Sequence, residues 1–152
     1  METWIYRHWR DFQWWLPLRP LEWQYELKVL SCDEIMTIAH VGDWMKTLDQ
    51  WGDDLFDGGD RRGTWLGRNM LEAGTTPKPM IVALNAGAWS HPREHRAPRM
   101  REPFQLIEGH MRLAYLRGMI RRSHALLKPA HEVFVATLPF HRSRRRPKAG
   151  RA

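Results

Sequence analysis

The chain has 152 residues, of which 43% are hydrophobic and 27% charged, and this balance is typical of one globular domain with one core. Its formal net charge of +7 is unevenly distributed along the chain. Residues 141–152 hold six basic residues and no acid, which leaves +1 for residues 1–140. The uncharged stretch Pro79–Ser90 is shorter than the roughly 20 residues that span a bilayer, so we expect a soluble protein without membrane contact. The single cysteine, Cys32, excludes an internal disulfide and fits a cytoplasmic protein.

Residues 1–22 form a tryptophan-rich segment, since they hold four of the nine tryptophans and Trp23 follows directly. We predict a short aromatic helix over residues 1–16, ended by Pro17 and Pro20. Charged residues interrupt the segment, so it has no signal-peptide core. It either packs on its own domain or contacts a protein partner.

A strand is predicted over residues 23–30, where apolar and polar residues alternate. Its buried face is expected to carry Trp23, Tyr25, Leu27 and Val29. Residues 34–51 have helical spacing instead, and Gly42 is expected to divide them into two helices.

An acidic loop is predicted over residues 53–63, followed by a helix over residues 65–73. Thr64 has the hydroxyl that an N-cap requires, and Gly74 is suited to end the helix.

The second half of the chain alternates strands with one helix. Strands are predicted over residues 80–85, 103–107 and 131–138, and a helix over residues 110–119. Residues 86–102 are rich in proline and charge, and we predict a surface excursion between paired strands. The order of elements predicts a small α+β domain over residues 23–140, with a mixed sheet and helices.

The basic residues 141–152 are predicted to be a disordered tail. Such a run, here Arg142–Arg151, attracts polyanions, so DNA is a candidate partner; a solvated tail without function is the alternative.

The turn Glu108–Arg112 is the strongest candidate for chemistry. Gly109 lets the backbone approach a ligand, and the first-turn amides of the following helix favour an anion. Arg112 has a guanidinium fork for phosphate oxygens, and His110 has a hydrogen-bond donor. Glu108 could hold a metal or act as a base. The alternative is a plain turn with solvated charges.

This turn resembles the phosphate-binding box of the ParB/sulfiredoxin fold. Leu106–Ala114 follows the family pattern of apolar residues, an acid, Gly-His, one residue, Arg and an apolar-Ala helix. Upstream, Met70–Gly74 and Lys78–Val82 resemble the family's first box, in which a helix ends in glycine and a proline-initiated strand follows. The resemblance covers roughly residues 23–138.

The resemblance implies a nucleotide cofactor, CTP or ATP, with Mg²⁺, and NTP hydrolysis or phosphotransfer stays open. Phosphate would be held by Gly109, His110 and Arg112. Glu108 and His110 would be the catalytic residues, with Glu108 as the metal residue, and Lys78 and Pro79 would border the pocket.

Two departures narrow this expectation. The position of the sulfiredoxin cysteine is Gly109, so sulfiredoxin activity is not expected. Only about 14 residues follow the last predicted strand, so we expect no helix-turn-helix domain like that of the partition proteins.

Two other functions remain open. One is a metal-dependent ParB-like nuclease that uses Glu108 and His110, and the other is a non-catalytic module that binds a protein or nucleic acid. A phage or mobile-element accessory protein would fit either. The run His91-Pro92-Arg93-Glu94-His95 matches an inverted zinc-protease spacing, but Pro92 argues for a loop and against zinc.

Overall fold

The computed structural model describes residues 9–94 and 96–139. The helices of this part of the chain are α1 (Trp9–Phe12), α2 (Cys32–Thr37), α3 (Trp44–Asp54), α4 (Trp65–Ala73) and α5 (His110–Arg121). Its strands are β1 (Gln24–Ser31), β2 (Ile38–Ala39), β3 (Met80–Leu84), β4 (Phe104–Glu108) and β5 (Ala130–Thr137). Short 3-10 turns cover Gln13–Leu18, Pro20–Glu22 and Asp60–Gly63.

The strands form one mixed sheet in the order β1-β5-β3-β4-β2. β5 runs antiparallel to β1 and parallel to β3, while β4 runs antiparallel to β3 and parallel to β2. The predicted α+β class is therefore confirmed. Within the described residues, no helix is long and apolar enough to cross a membrane.

Both faces of the sheet are covered. The core between the sheet and the helices includes Leu30, Val82, Leu106 and Val135. On the opposite face, residues 12–23 and part of the 86–102 excursion pack on Ile81, Ala83 and Ile107. The prediction that residues 86–102 only cross the surface is therefore wrong in part, because Ala86, His91 and Met100 are buried.

The predicted burial of β1 is wrong in its second half. Leu27 is 49% and Val29 65% exposed, while Leu30, on the other face, is buried. β1 lies at the edge of the sheet. The cover over its exposed face ends near Tyr25, whose hydroxyl donates to the Pro20 carbonyl. Alternation therefore predicted which residues share a face, but not how far that face is covered.

The helices follow their local signals closely. Thr64 caps α4 by accepting a hydrogen bond from the Gly67 amide at 3.0 Å, and Gly74 ends the helix at φ +69°. The predicted 34–51 helix is divided near Gly42 as expected, but the short β2 precedes the division. Residues 53–63, predicted to be a loop, include the end of α3 and a 3-10 turn. Of the predicted N-terminal helix, residues 1–8 lie outside the described part, and the rest turns into 3-10 helix after Phe12.

α5 is positioned by a close crossing with α3. A Cβ on Gly52 would lie 2.3 Å from the Ala114 carbonyl oxygen, so the two backbones approach as only glycine allows. Beside the crossing, the buried Arg117 donates to both carboxylate oxygens of Asp49, at 2.8 and 3.2 Å. The crossing therefore sets where the N-terminus of α5 lies.

We predict that Gly52→Ala lowers the free energy of unfolding by about 1–3 kcal/mol, because the added methyl group forces α3 away from α5. This loss outweighs the higher helix propensity of alanine. Urea denaturation measures the change. Gly63→Ala is the matched control, since a Cβ there meets nothing within 4 Å. Equal stability of the two variants would contradict the close crossing.

Candidate functional site

The turn between β4 and α5 has the geometry that the sequence predicted for Gly109. Gly109 is the N-cap of α5 at φ +106°, and a Cβ there would lie 2.7 Å from the Cβ of Met80. No side chain caps the helix. Its first-turn amides therefore have no side-chain acceptor within the described residues, and the helix dipole places partial positive charge on them.

The structure places Arg112, the predicted phosphate fork, in contacts within the fold. Its Nη1 donates to the carbonyl oxygens of Lys78 and Pro79, at 3.2 and 2.9 Å, and its Nη2 pairs with the Glu108 carboxylate. The Arg112 and Glu108 side chains are only 16% and 17% exposed. The guanidinium thus connects the two sequence boxes to each other.

A small pocket lies beside this turn, with a cavity of about 40 Å³. Of the predicted site residues, Glu108 and His110 line it, whereas Lys78, Pro79 and Arg112 do not. Gly109 lies between the two lining residues. The turn therefore borders a pocket as expected, but most of the pocket wall comes from other segments.

Three histidines from three segments meet in this wall. His40 follows β2, His91 lies in the 86–102 excursion, and His110 begins α5. The ring centroid of His40 lies 5.0 Å from that of His91 and 5.1 Å from that of His110. His40 and His91 are 4% and 2% exposed. Two of the three rings are therefore shielded from water, and His110 is partly exposed.

Backbone contacts set the protonation of two of these rings. His40 Nδ1 lies 3.1 Å from the Val41 carbonyl oxygen, which can only accept, so Nδ1 carries the proton. His91 Nδ1 accepts from the Arg93 amide at 3.4 Å, so in the neutral ring Nε2 carries the proton. That Nε2 is buried and has no hydrogen-bond partner within residues 9–94 and 96–139.

Burial keeps the cluster neutral. Desolvation is the main cause that lowers the pKa of His91 to about 3 and that of His110 to about 4, and the neighbouring His40 and Arg93 lower both further. Burial also lowers the pKa of His40, although its bond to the Val41 carbonyl acts in the opposite direction. At neutral pH the histidines provide hydrogen bonds rather than charge.

Charged and aromatic residues line the rest of the pocket. Arg93 Nη1 binds the Asp11 carboxylate at 2.7 Å, and the Trp15 ring packs edge-on against His91. Trp44 donates from its indole N–H to the Glu94 carboxylate at 2.9 Å. The N-terminal segment and the excursion therefore close the pocket together.

Most of these residues were not predicted as site residues. His91, Arg93 and Glu94 were noted only within a zinc motif, whose His95 lies outside the described residues. His40 is a single histidine after a two-residue strand, and no local signal distinguishes it. Proximity in the fold, rather than spacing in the chain, brings these residues to the turn.

The structure gives no ready metal ligand set for the predicted metal residue Glu108. Within residues 9–94 and 96–139, no three His, Cys, Asp or Glu side chains are arranged to hold a metal ion. The Glu108 carboxylate is already paired with Arg112, and a metal would have to compete with that guanidinium.

We predict that Arg112→Ala lowers the free energy of unfolding by about 3 kcal/mol, because it leaves the Glu108 carboxylate and two carbonyl groups without their donor. Chemical denaturation measures the loss. Arg68→Ala, at an exposed position of α4, is the control and should change stability by less than about 0.5 kcal/mol. A fully stable Arg112→Ala protein would refute the connecting role.

The pKa values of His91 and His110 predict a loss of stability in acid. Unfolded histidines take up protons near pH 6.5, whereas these two remain neutral in the folded chain until about pH 3 and 4. The unfolded state binds more protons in this window, so stability is full above about pH 6.5 and falls towards pH 4. Each histidine contributes a slope of about 1.4 kcal/mol per pH unit. Urea denaturation at several pH values should show a shallower slope for His91→Gln, and an unchanged slope would contradict the prediction.

Comparison of the chain with protein-family models, curated proteins and solved structures finds no match in any of the three. The resemblance to the ParB/sulfiredoxin family therefore stays a prediction, and it rests on the two sequence boxes quoted above.

Proposed function

We propose that the chain is a ParB/sulfiredoxin-like domain that binds a nucleotide through a phosphate group at the N-terminus of α5. One observation carries the proposal: the uncapped first turn of α5 borders a pocket that also contains a cationic side chain, Arg93. Backbone amides and a guanidinium are the usual donors to phosphate oxygens.

The chemistry of the pocket supports an oxyanion. Arg93 supplies the positive charge, and its side chain is 47% exposed, so a ligand can reach it from solvent. His91 has a buried N–H without an acceptor. A phosphate oxygen would supply that acceptor and would remove the cost of an unsatisfied buried donor.

The size of the pocket limits what enters it. A cavity of about 40 Å³ is far below the roughly 300 Å³ of a small-molecule site, and it suits a phosphate group rather than a whole nucleotide. The nucleoside would extend beyond the pocket mouth. Trp44, which is half-buried and lines the pocket, would be the aromatic ring nearest to the base.

The nucleotide would bring Mg²⁺ with it, since this ion is commonly held by substrate phosphates and one or two carboxylates. Glu108 and His110, the predicted catalytic pair, line the pocket together. Hydrolysis or transfer of the bound nucleotide would therefore depend on this pair. An NTPase assay of Glu108→Gln tests it.

The two rival functions draw less support. A metal-dependent nuclease would require Glu108 to exchange Arg112 for a metal. DNA binding by Arg142–Arg151 concerns residues outside the described part and stays a prediction. The tryptophan-rich segment packs on its own domain through the buried Phe12 and Trp15, whereas Trp14, Leu16 and Leu21 are exposed, so a protein partner there stays a prediction.

Calorimetric titration with ATP and CTP, each with and without Mg²⁺, tests the proposal. We expect the wild type to bind at least one of them and Arg93→Gln to bind it about tenfold more weakly, because a charge-assisted hydrogen bond is lost. Arg68→Gln removes the same charge from α4 and should leave the affinity unchanged. Arg112→Ala is unsuitable here, because its structural effect would mimic a loss of contact. If the wild type binds no nucleoside triphosphate, the proposal is wrong.

A further inference from the structure

We infer that Asp11 is an internal competitor for the oxyanion: its carboxylate holds Arg93 until a phosphate group enters, takes over Arg93 and accepts the N–H of His91. The inference rests on the proposed function and deepens it, because it identifies what occupies the site before the ligand arrives and which buried donor the ligand satisfies.

The contact of Asp11 with Arg93 is the first observation. The two residues lie 82 positions apart in the chain, yet the carboxylate oxygen is 2.7 Å from the guanidinium at the pocket. A carboxylate and a phosphate present similar oxygens to a guanidinium. Asp11 therefore takes the place of an anionic ligand.

The exchange requires little movement. The anchors of the N-terminal segment are Phe12 and Trp15, which are buried, whereas the side chains of Asp11 and Arg93 are 52% and 47% exposed. Rotation of the Asp11 side chain releases Arg93 while the anchors remain in the core. An exposed ion pair is weak enough for an entering anion to replace.

His91 is the second, independent observation. It is 2% exposed, its Nδ1 accepts from the Arg93 amide, and the protonated Nε2 has no partner. The same short segment thus holds both a cation and an unsatisfied donor beside the uncapped α5. The Trp15 ring packs edge-on against this ring and stays in the core when Asp11 rotates.

The ligand defined by these groups is a tetrahedral oxyanion of phosphate size. The terminal phosphate of a nucleotide and free inorganic phosphate share this chemistry. Titration with inorganic phosphate, pyrophosphate and ATP distinguishes the two sources, because only a nucleotide gains from contacts outside the cavity.

Affinity measurements on the full chain test the competition. Asp11→Asn should bind the tightest of these three probes about three- to fivefold more tightly than the wild type, because the competing carboxylate is gone. Glu22→Gln removes an acid of the same segment that pairs with Arg19 instead, and it should not change the affinity. In an Arg93→Gln background, Asp11→Asn should bring no gain. Equal affinities of wild type and Asp11→Asn would overturn the inference.

The role of His91 is tested without a substitution. Nitrogen-15 NMR of the histidine rings should show the Nε2–H form of His91 at neutral pH, and its Nε2–H proton should shift when phosphate or pyrophosphate is added. A Nδ1–H form, or an unchanged signal at saturation, would overturn this part.

The two proposals fail differently. If neither the wild type nor Asp11→Asn binds any of the probes, the proposed function and the inference both fall. If nucleotide binds but Asp11→Asn has no effect, only the competition falls, and nucleotide binding stands.

Discussion

The Arg112 guanidinium is the contact on which the site depends. It joins the end of β4, through Glu108, to the entry of β3, through the carbonyl groups of Lys78 and Pro79. These groups come from the two sequence boxes, which are about 30 residues apart. Because Arg112 lies in the first turn of α5, the same contact holds the uncapped helix end beside the pocket. Arginine is associated with phosphate binding, but Arg112 has a structural role here.

In the pocket, different residues supply the hydrogen-bonding groups and the charge. Its three histidines lie close together, His40 and His91 are buried and His110 is partly exposed, and desolvation lowers the pKa of each, so they are neutral at physiological pH. Charge in the pocket comes instead from Arg93 and the acids around it. This arrangement is consistent with an oxyanion held by one guanidinium, backbone amides and neutral N–H groups. Asp11, which pairs with Arg93, would compete with such an oxyanion.

Local sequence signals predicted the elements well wherever the determinant lies within one turn or strand. Thr64 and Gly74 bound α4 as expected, and Gly109 adopts the positive φ that the turn requires. The signals were insufficient where the determinant is distant. The two residues of β2 lie within a stretch that has helical spacing. They form a strand because they pair with β4. The exposure of Leu27 and Val29 depends on where the covering segment ends, which alternation does not encode.

The sequence by itself determined an α+β chain with a glycine turn between a strand and a helix, and hence a helix N-terminus suited to an anion. Backbone conformation is set by neighbouring residues, so such features can be recognised in a short window. Only the tertiary structure decided which side chains serve the site. Arg112 is bound to groups 33 and 34 residues away, while Arg93, paired with an acid 82 residues away, faces the pocket. Side-chain partners depend on long-range packing, and the chemistry of this pocket follows from that packing.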